Sequence, residues 1–495
     1  MRAPRSRPLL VALFPCTIAA GAAAQALAMP TTVVEASAAG NIPTPAEAPP
    51  VAANDVRERE TAPWRAHETL GVPWFRFGFE QRVRFEHLEN DYRSSNKGDA
   101  TGLFTRTLAY AELRSRPFVI GGEFQDSRAW TSDATPLNTT LVDALEPIRT
   151  FIGVRSENTL ERGDATQVTA GRMTIDLGSR RLVARNDFRG TINSFTGVDV
   201  TWTASSKEVV RAFAVMPVVR LPSAAAALRD NAFALGQEGP EAILWATLFQ
   251  TRPLAARLTM EAYVLGFHER DGGAAPSANR RLYTPGLRAV RTPFAGDFDF
   301  QIEVIGQVGR SRPTPEPTDT ADLEHRAMSI HASGGFRFVA PMTPRIVAQY
   351  DYASGDRSPV DGQNNRFDPL FGARRFEFGP TGLYGAIGRA NVSTPGMRLE
   401  LQPDRSIDCF AAYRLVWLAS AEDAWTSAAL RDPTGGSGTF LGHQIEGRVR
   451  WEALPKNLAV EAGSALLVRG GFAKEAPGAS VANPIYFYTQ VTGTI

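Results

Sequence analysis

Cysteine and lysine are nearly missing from this chain. Only Cys16 and Cys409 occur in 495 residues. Cys16 falls in a leader-like N-terminus, so no disulfide framework can form once that leader is removed. Lysine stands at Lys97, Lys207, Lys456 and Lys474 alone, and every other base is arginine. Arginine is the side chain better suited to planar, bidentate contact with carboxylates. An excess of one charge is lacking too: 53 basic residues stand against 52 acidic, which argues against nucleic acid as a partner. Beyond the N-terminus there is no apolar run long enough for a membrane-spanning helix.

Signatures of catalysis are missing as well. His67, His87, His268, His325, His331 and His443 form no H-E-x-x-H, and no G-x-S-x-G or phosphate-binding glycine loop is present. His325 with Asp322 and Glu324 is the nearest approach to a catalytic cluster, and it reads as a solvated loop. Neither an enzyme nor a cofactor is expected. The loop DYASGDRSPVDGQNNRFD (351–368) holds Asp351, Asp356, Asp361 and Asp368. Its spacing is not that of an EF-hand, so it reads as a polar outer loop, with a bound Ca²⁺ as the alternative and no metal site assigned.

What is there begins with Arg2, Arg5 and Arg7, an apolar run from Leu9 to Ala20, and the small residues GAAAQALA. That is the pattern of a secretory signal cleaved after Ala26 or Ala28, so residues 1–28 are read as the signal. Residues 29–72, with text such as AGNIPTPAEAPPVAAND, bury too little apolar surface to order themselves and read as a flexible periplasmic extension.

From Pro73 the text alternates. In WFRFGFEQRVRFE (74–86), Phe75, Phe77, Phe79, Val83 and Phe85 share one face of a strand, and Arg76, Glu80, Arg82, Arg84 and Glu86 the other. About 18 such segments follow one another. They are 73–87, 102–115, 118–127, 143–156, 165–177, 194–204, 208–221, 241–251 and 256–270 in the first half. The second half adds 281–293, 297–310, 325–340, 344–355, 393–402, 406–419, 439–453, 457–470 and 484–495.

Short links such as SRPF, PFAGD and QPDRS alternate with long ones such as 178–193, 222–240 and 356–392. Tight periplasmic turns and long outer loops in strict alternation belong to an outer-membrane barrel. The fold expected over 73–495 is therefore all-β: a transmembrane antiparallel β-barrel of about 18 strands with up-and-down topology, monomeric and seated in outer-membrane lipid. A barrel that wide cannot be filled by wall side chains and must hold water. The phenylalanines then face lipid and the arginines face the lumen. By the same parity Leu441, Ile445, Val449 and Trp451 face lipid, opposite Gln444, Glu446, Arg448 and Arg450.

Strand parity aims Arg76, Arg82, Arg84, Arg149, Arg155, Arg172, Arg337, Arg448 and Arg450 at the lumen, together with Asp176, Asp199 and Glu303. Arg106 and Arg114 stay ambiguous, because their strand alternates poorly. Arg185 and Arg189 fall in an outer loop placed to fold inward and narrow the pore. Two roles suit this set: ladders with the acids that stiffen the wall, or a path for anions.

The stretch AGRMTIDLGSRRLVARNDFRGTINSFTGVDVTW (170–202) resembles the alginate-export porin family. The match rests on Gly171-Arg172, Arg181-Leu182-Val183, the run Arg185 to Arg189, and Ser194-Phe195-Thr196-Gly197-Val198. RFDPLFG (366–372) with YGAIGR (384–389), and LGHQIEGRVRWEALPKNLAVEAGSALLVRGGFAKE (441–475), resemble further family segments. Two departures are Phe188, where relatives often carry Trp, and the final Ile495, where barrels usually end on an aromatic. The resemblance implies a porin of the outer membrane, delivered by the barrel-assembly machinery, that exports alginate or a related acidic polysaccharide by passive diffusion. Many weak cationic contacts suit such a polymer, since one tight site would trap it. An uptake porin for small anionic solutes such as organic acids, or for oligosaccharides, is the alternative, and a barrel enzyme a more distant one.

Overall fold

The structure is a computed structural model that describes residues 71–495 apart from positions 97, 274, 317 and 359. The signal at 1–28 and nearly all of the extension at 29–72 lie outside the described residues.

The wall opens with β1 (Phe75–Glu89), β2 (Ala100–Ser115), β3 (Phe118–Thr131), β4 (Asp143–Glu157), β5 (Ala165–Met173), β6 (Phe195–Thr203) and β7 (Val209–Pro217). After a small hairpin of β8 (Val219–Leu221) and β9 (Ala234–Gln237) come β10 (Ala242–Gln250), β11 (Leu258–Glu269), β12 (Arg281–Arg291) and β13 (Phe298–Ser311). Then follow β14 (Leu323–Arg337), β15 (Arg345–Ala353), the two-residue β16 (Gln363–Asn364), β17 (Val392–Asp404) and β18 (Ile407–Trp417). The last are β19 (Phe440–Leu454), β20 (Leu458–Arg469) and β21 (Ile485–Thr494).

The main sheet counts 19 strands, of which β16 lies parallel on β14. The other eighteen pair antiparallel with their neighbours, and β21 returns to β1, with Val83 opposite Val491. Closure leaves no open edge, which is what a sheet in hydrocarbon requires. The chain is thus an up-and-down barrel of eighteen strands, as the alternation of short and long links predicts.

The two faces also sort as expected. On β1, Glu80, Arg82, Arg84 and Glu86 are buried, while Phe79, Val83 and Phe85 are exposed. On β13, Phe298, Ile302 and Val304 point outward while Asp299, Gln301 and Glu303 are buried. A barrel standing in water would bury the opposite set. Trp74, Trp130 and Trp451 are exposed near strand ends, where a girdle sits.

Some expectations are corrected. β3 runs on to Thr131, past 127, and β5 stops at Met173, short of 177. The segment expected at 208–221 divides after Pro217, because residues 219–221 leave the wall for the β8–β9 hairpin. Leu441 does not face lipid: it is buried in the interior cluster. A register shift where β18 meets this end of β19, with Gly442 at φ 138°, interrupts the alternation there.

The largest correction concerns the lumen. Segments 174–194 and 364–391 fold into the barrel, and Leu182, Val183, Phe188, Phe367, Phe378 and Tyr384 are buried in its apolar cluster. Wall side chains do not fill the interior. Two loops fill much of it.

Candidate functional site

The first loop leaves β5 at Met173 and turns inward through Gly178 (φ 51°) and Arg180 (φ 64°). Left-handed backbone at that turn is free for glycine and is tolerated by Arg180 because its surroundings fix it. Asn186 (φ 68°) makes a second turn, and asparagine takes that conformation more readily than most residues. Between the turns the loop crosses the barrel. Arg181 lies 2.5 Å from Glu303 on β13. The carbonyl of Asp187 accepts from Arg82 on β1 (2.7 Å) and Arg106 on β2 (2.8 Å). Arg185 donates to Glu123 on β3 (2.6 Å), Ser127 on β3 donates to the Gly190 carbonyl (2.7 Å), and Arg211 on β7 donates to the Asp176 carbonyl (2.7 Å).

The second loop locks onto the first. The Phe371 N–H donates to the Leu182 carbonyl (2.9 Å), and the Ala373 N–H to the Arg180 carbonyl (2.9 Å). Gly372 is obligatory there, since a Cβ would meet the Arg181 carbonyl oxygen at 1.8 Å. On its other side this loop holds the wall through Arg375 to Glu446 on β19 (2.7 Å), and the Leu383 N–H donates to Glu86 on β1 (2.6 Å). Phe188 sits between two guanidinium groups, Arg84 at 4.1 Å and Arg375 at 4.8 Å from its ring centre. Cations stack on ring faces in this way because of the ring quadrupole. The two loops form one bar, anchored on several walls.

The residues expected along the path separate into groups. Arg82, Arg84, Arg185, Arg189 and Glu303 meet at the bar. Asp176 is there as well, but as a loop residue beyond the end of β5, where it accepts from the Arg185 N–H (2.8 Å). Arg172 pairs with Glu146 and with Glu238 (2.6 Å), the latter on the segment that follows β9. Asp199 pairs with Arg211 (2.9 Å) across β6 and β7. Arg149 stands 3.7 Å from Glu123 and over the rings of Tyr110 and Phe151. Arg448 pairs with Asp408 and Glu461, and Arg450 lies 3.6 Å from Glu461. Arg76, Arg155 and Arg337 are half-buried near the turn ends of β1, β4 and β14, away from the bar.

Ladders therefore account for much of the inward arginine. Arg82 is different, since it spends its donors on loop carbonyls, including that of Arg189. Arg189 and Arg374 also differ: no carboxylate lies within ion-pair distance of either among the described residues, and both are partly accessible. Burial, then the charges of Arg374 and Arg220, bring Arg189 down to about 9. Nearby Asp187 shows the opposite balance. Burial would raise its carboxyl, but Arg185 and Arg106 outweigh that and hold it below its ordinary range.

Several contributors were not singled out in the sequence. Arg106, ambiguous by parity, is buried beside Glu80 (2.7 Å) and holds the bar. Arg288 and Arg414 lie inward on regular strands, and alternation would have found them. Arg374, Arg375 and Arg389 are loop residues, with no periodicity to mark them.

The acidic loop residues and His325 find separate partners. Asp351 bonds His331 (2.6 Å), Asp368 bonds Arg280 (2.9 Å), and Asp356 and Asp361 accept from nearby backbone N–H groups. Among the described residues no group of His, Cys, Asp or Glu is placed to hold a metal ion. His325 turns inward to Ser311 and Gln307, while Glu324 is exposed on the other face, so that cluster does not converge.

Comparison with known proteins agrees with this geometry. The barrel is similar to three solved Pseudomonas aeruginosa porins. OpdK, solved with vanillate, is 8% identical with a TM-score of 0.52, over 85% of this chain and 98% of that one. OccK5 (OpdH) is 10% identical, TM-score 0.52, over 85% and 98%. OccD3 (OpdP) is 11% identical, TM-score 0.51, over 86% and 92%. At such identities the likeness is one of fold. No curated protein matched. The family model for alginate export matches residues 73–487. An outer-membrane porin barrel whose family match runs through both the wall and the loops that bar it belongs to the alginate export family.

Proposed function

We propose that this porin passes anionic hydrophilic solutes by passive diffusion, and that its solute is alginate or a related acidic exopolysaccharide moving outward. The single observation that supports this reading is the cluster of Arg189, Arg220 and Arg374 at the bar. Burial first, and then the charges of Arg374 and Arg220, bring Arg189 down, and among the described residues only Arg220 of the three has a carboxylate within ion-pair distance, Asp143 at 3.9 Å. An anion entering that space relieves the repulsion, and it leaves again because each contact is exchangeable. Arg82, Arg84, Arg172, Arg448 and Arg450 then serve chiefly as the wall that holds the bar in place. Arg149, Arg155, Arg76 and Arg337 carry the anion between the bar and the periplasmic mouth.

Single-channel conductance in a planar bilayer tests this, with ion selectivity and block by added polymannuronate recorded together. Anion preference and block, both weakened in Arg189→Ala or Arg374→Ala, is the expected result. Conductance with neither selectivity nor block removes the reading. A second reading, uptake of small organic acids or oligosaccharides, is favoured by how much of the interior the two loops occupy. Block by small carboxylates with none by the polymer would select it.

A further inference from the structure

Outside the barrel, at the loop end of β11 to β14, four polar residues stand abreast. His268 on β11 is in register with Arg281 on β12, Arg281 with Arg310 on β13, and Arg310 with Glu324 on β14. All four lie on the outward face by the alternation of their strands, with Leu282, Gln307 and His325 turned inward. Directly beneath them, outward Tyr283 and Val308 are exposed and belong to the lipid belt, with Arg326 abreast of Val308 on β14 and exposed Met328 one outward position lower. The row therefore sits where the wall leaves hydrocarbon and enters the headgroups of the outer leaflet.

The charges in this row do not cancel. Glu324 is taken by Arg326 at 2.6 Å. No carboxylate lies within ion-pair distance of Arg281 or Arg310 among the described residues. Like charges directly opposite on neighbouring strands repel, yet the backbone brings these two together. Gly309, at φ 145°, has no room for a Cβ, which would meet the Arg281 carbonyl oxygen at 1.9 Å. Elsewhere on the outer face Arg128 is paired with Asp126 at 2.9 Å. Exposed Arg270, just past the end of β11, adds a further positive charge.

An aromatic floor adjoins the row. Trp245 and Tyr283 stand 6.3 Å apart and His268 meets Tyr283 edge-on at 5.4 Å. Gly266 makes room, since a Cβ there would touch the Trp245 ring at 2.2 Å. Aromatics at the membrane surface accept acyl chains and sugar faces alike.

We propose that this rim binds a phosphorylated, acylated glycolipid of the outer leaflet, with one phosphate bridging Arg281 and Arg310. Guanidinium groups hold phosphate oxygens in pairs, and the fixed lipid belt below supplies the acyl contact. The ligand is a lipid and not a free anion because the row opens onto hydrocarbon on its lower side.

The test uses the full barrel folded in detergent, with bisphosphorylated lipid A as the probe. Its binding is compared with that of dephosphorylated lipid A, and with binding in excess inorganic phosphate. The double variant Arg281→Gln/Arg310→Gln is expected to lose about tenfold or more in affinity, with dephosphorylated lipid A no tighter on the native protein. Inorganic phosphate is expected to leave lipid binding nearly unchanged. Heat-modified mobility on a gel shows that each variant is folded. Arg252→Gln, on the turn between β10 and β11 at the opposite end of the wall, is expected to bind like the native protein. Equal binding by the folded double variant, or by the dephosphorylated lipid, would overturn the proposal. Full competition by inorganic phosphate would also overturn it and leave an anion site without lipid.

Discussion

Arg181 on the inward loop lies 2.5 Å from Glu303 on β13. This pair ties the bar to the side of the barrel away from β1, where Arg82 holds its other end. Both partners are buried, and Tyr263 donates to the same carboxylate at 2.6 Å.

Breaking that pair from one side leaves buried Arg181 with Glu377, at 2.7 Å, as its remaining partner. Glu303→Ala is expected to lose about 1–3 kcal/mol of the bar's docking energy, since hydrogen bonds to charged groups go unmade. The measurement is single-channel recording: larger or noisier conductance is expected, while the barrel still folds. Conductance as steady as in the native protein would show that the pair does not hold the bar.

Gly372→Ala acts on the joint between the loops. Its Cβ would fall on the Arg181 carbonyl oxygen, so one loop must move, at about 1–3 kcal/mol. Limited proteolysis of folded barrels should cut within 364–391 faster in the variant. Equal rates would mean the joint tolerates the methyl group.

The loop carboxylates give a pH dependence with a definite sign. Burial opposes the charge of Asp187 and Asp368, but Arg185 and Arg280 respectively outweigh it and hold both below the usual range. Their unfolded values lie near 4. Lowered folded values contribute stability that is present in full above about pH 4 and is lost as pH falls below it. Conductance is therefore expected to hold steady from neutral pH to about 4 and to rise or become noisy in more acid solution. A transition at pH 6 would point to other groups.

The lipid face can be tested by charge. Ile302 is outward at mid-strand on β13, between Ala289 and Ala332 of its neighbours. Ile302→Arg is expected to cost about 2–4 kcal/mol of folding free energy into liposomes. Gln301→Arg, inward by one residue, tests the opposite face and should act through crowding with Arg181 and Arg288. Equal, small effects at both positions would contradict the assigned faces.

The sequence by itself determined the wall. Period-two alternation decides which side of a strand meets lipid, because a one-residue slip would put every arginine of β1 into hydrocarbon. Link lengths decide the topology, since only tight turns join antiparallel neighbours at one rim. What those local rules could not reach is what lies inside. The bar is built from residues far apart in the chain, Arg181 with Glu303 and Phe371 with Leu182, and loops have no period to advertise such pairing. Whether an inward arginine is neutralised was likewise beyond the alternation. Parity puts Arg448 and Arg82 on the same kind of face, yet Arg448 finds Asp408 and Glu461 while Arg82 finds loop carbonyls. Only the fold decided which carboxylates came within reach, because charge pairing falls off over a few ångströms and those distances are set by strand register and loop docking.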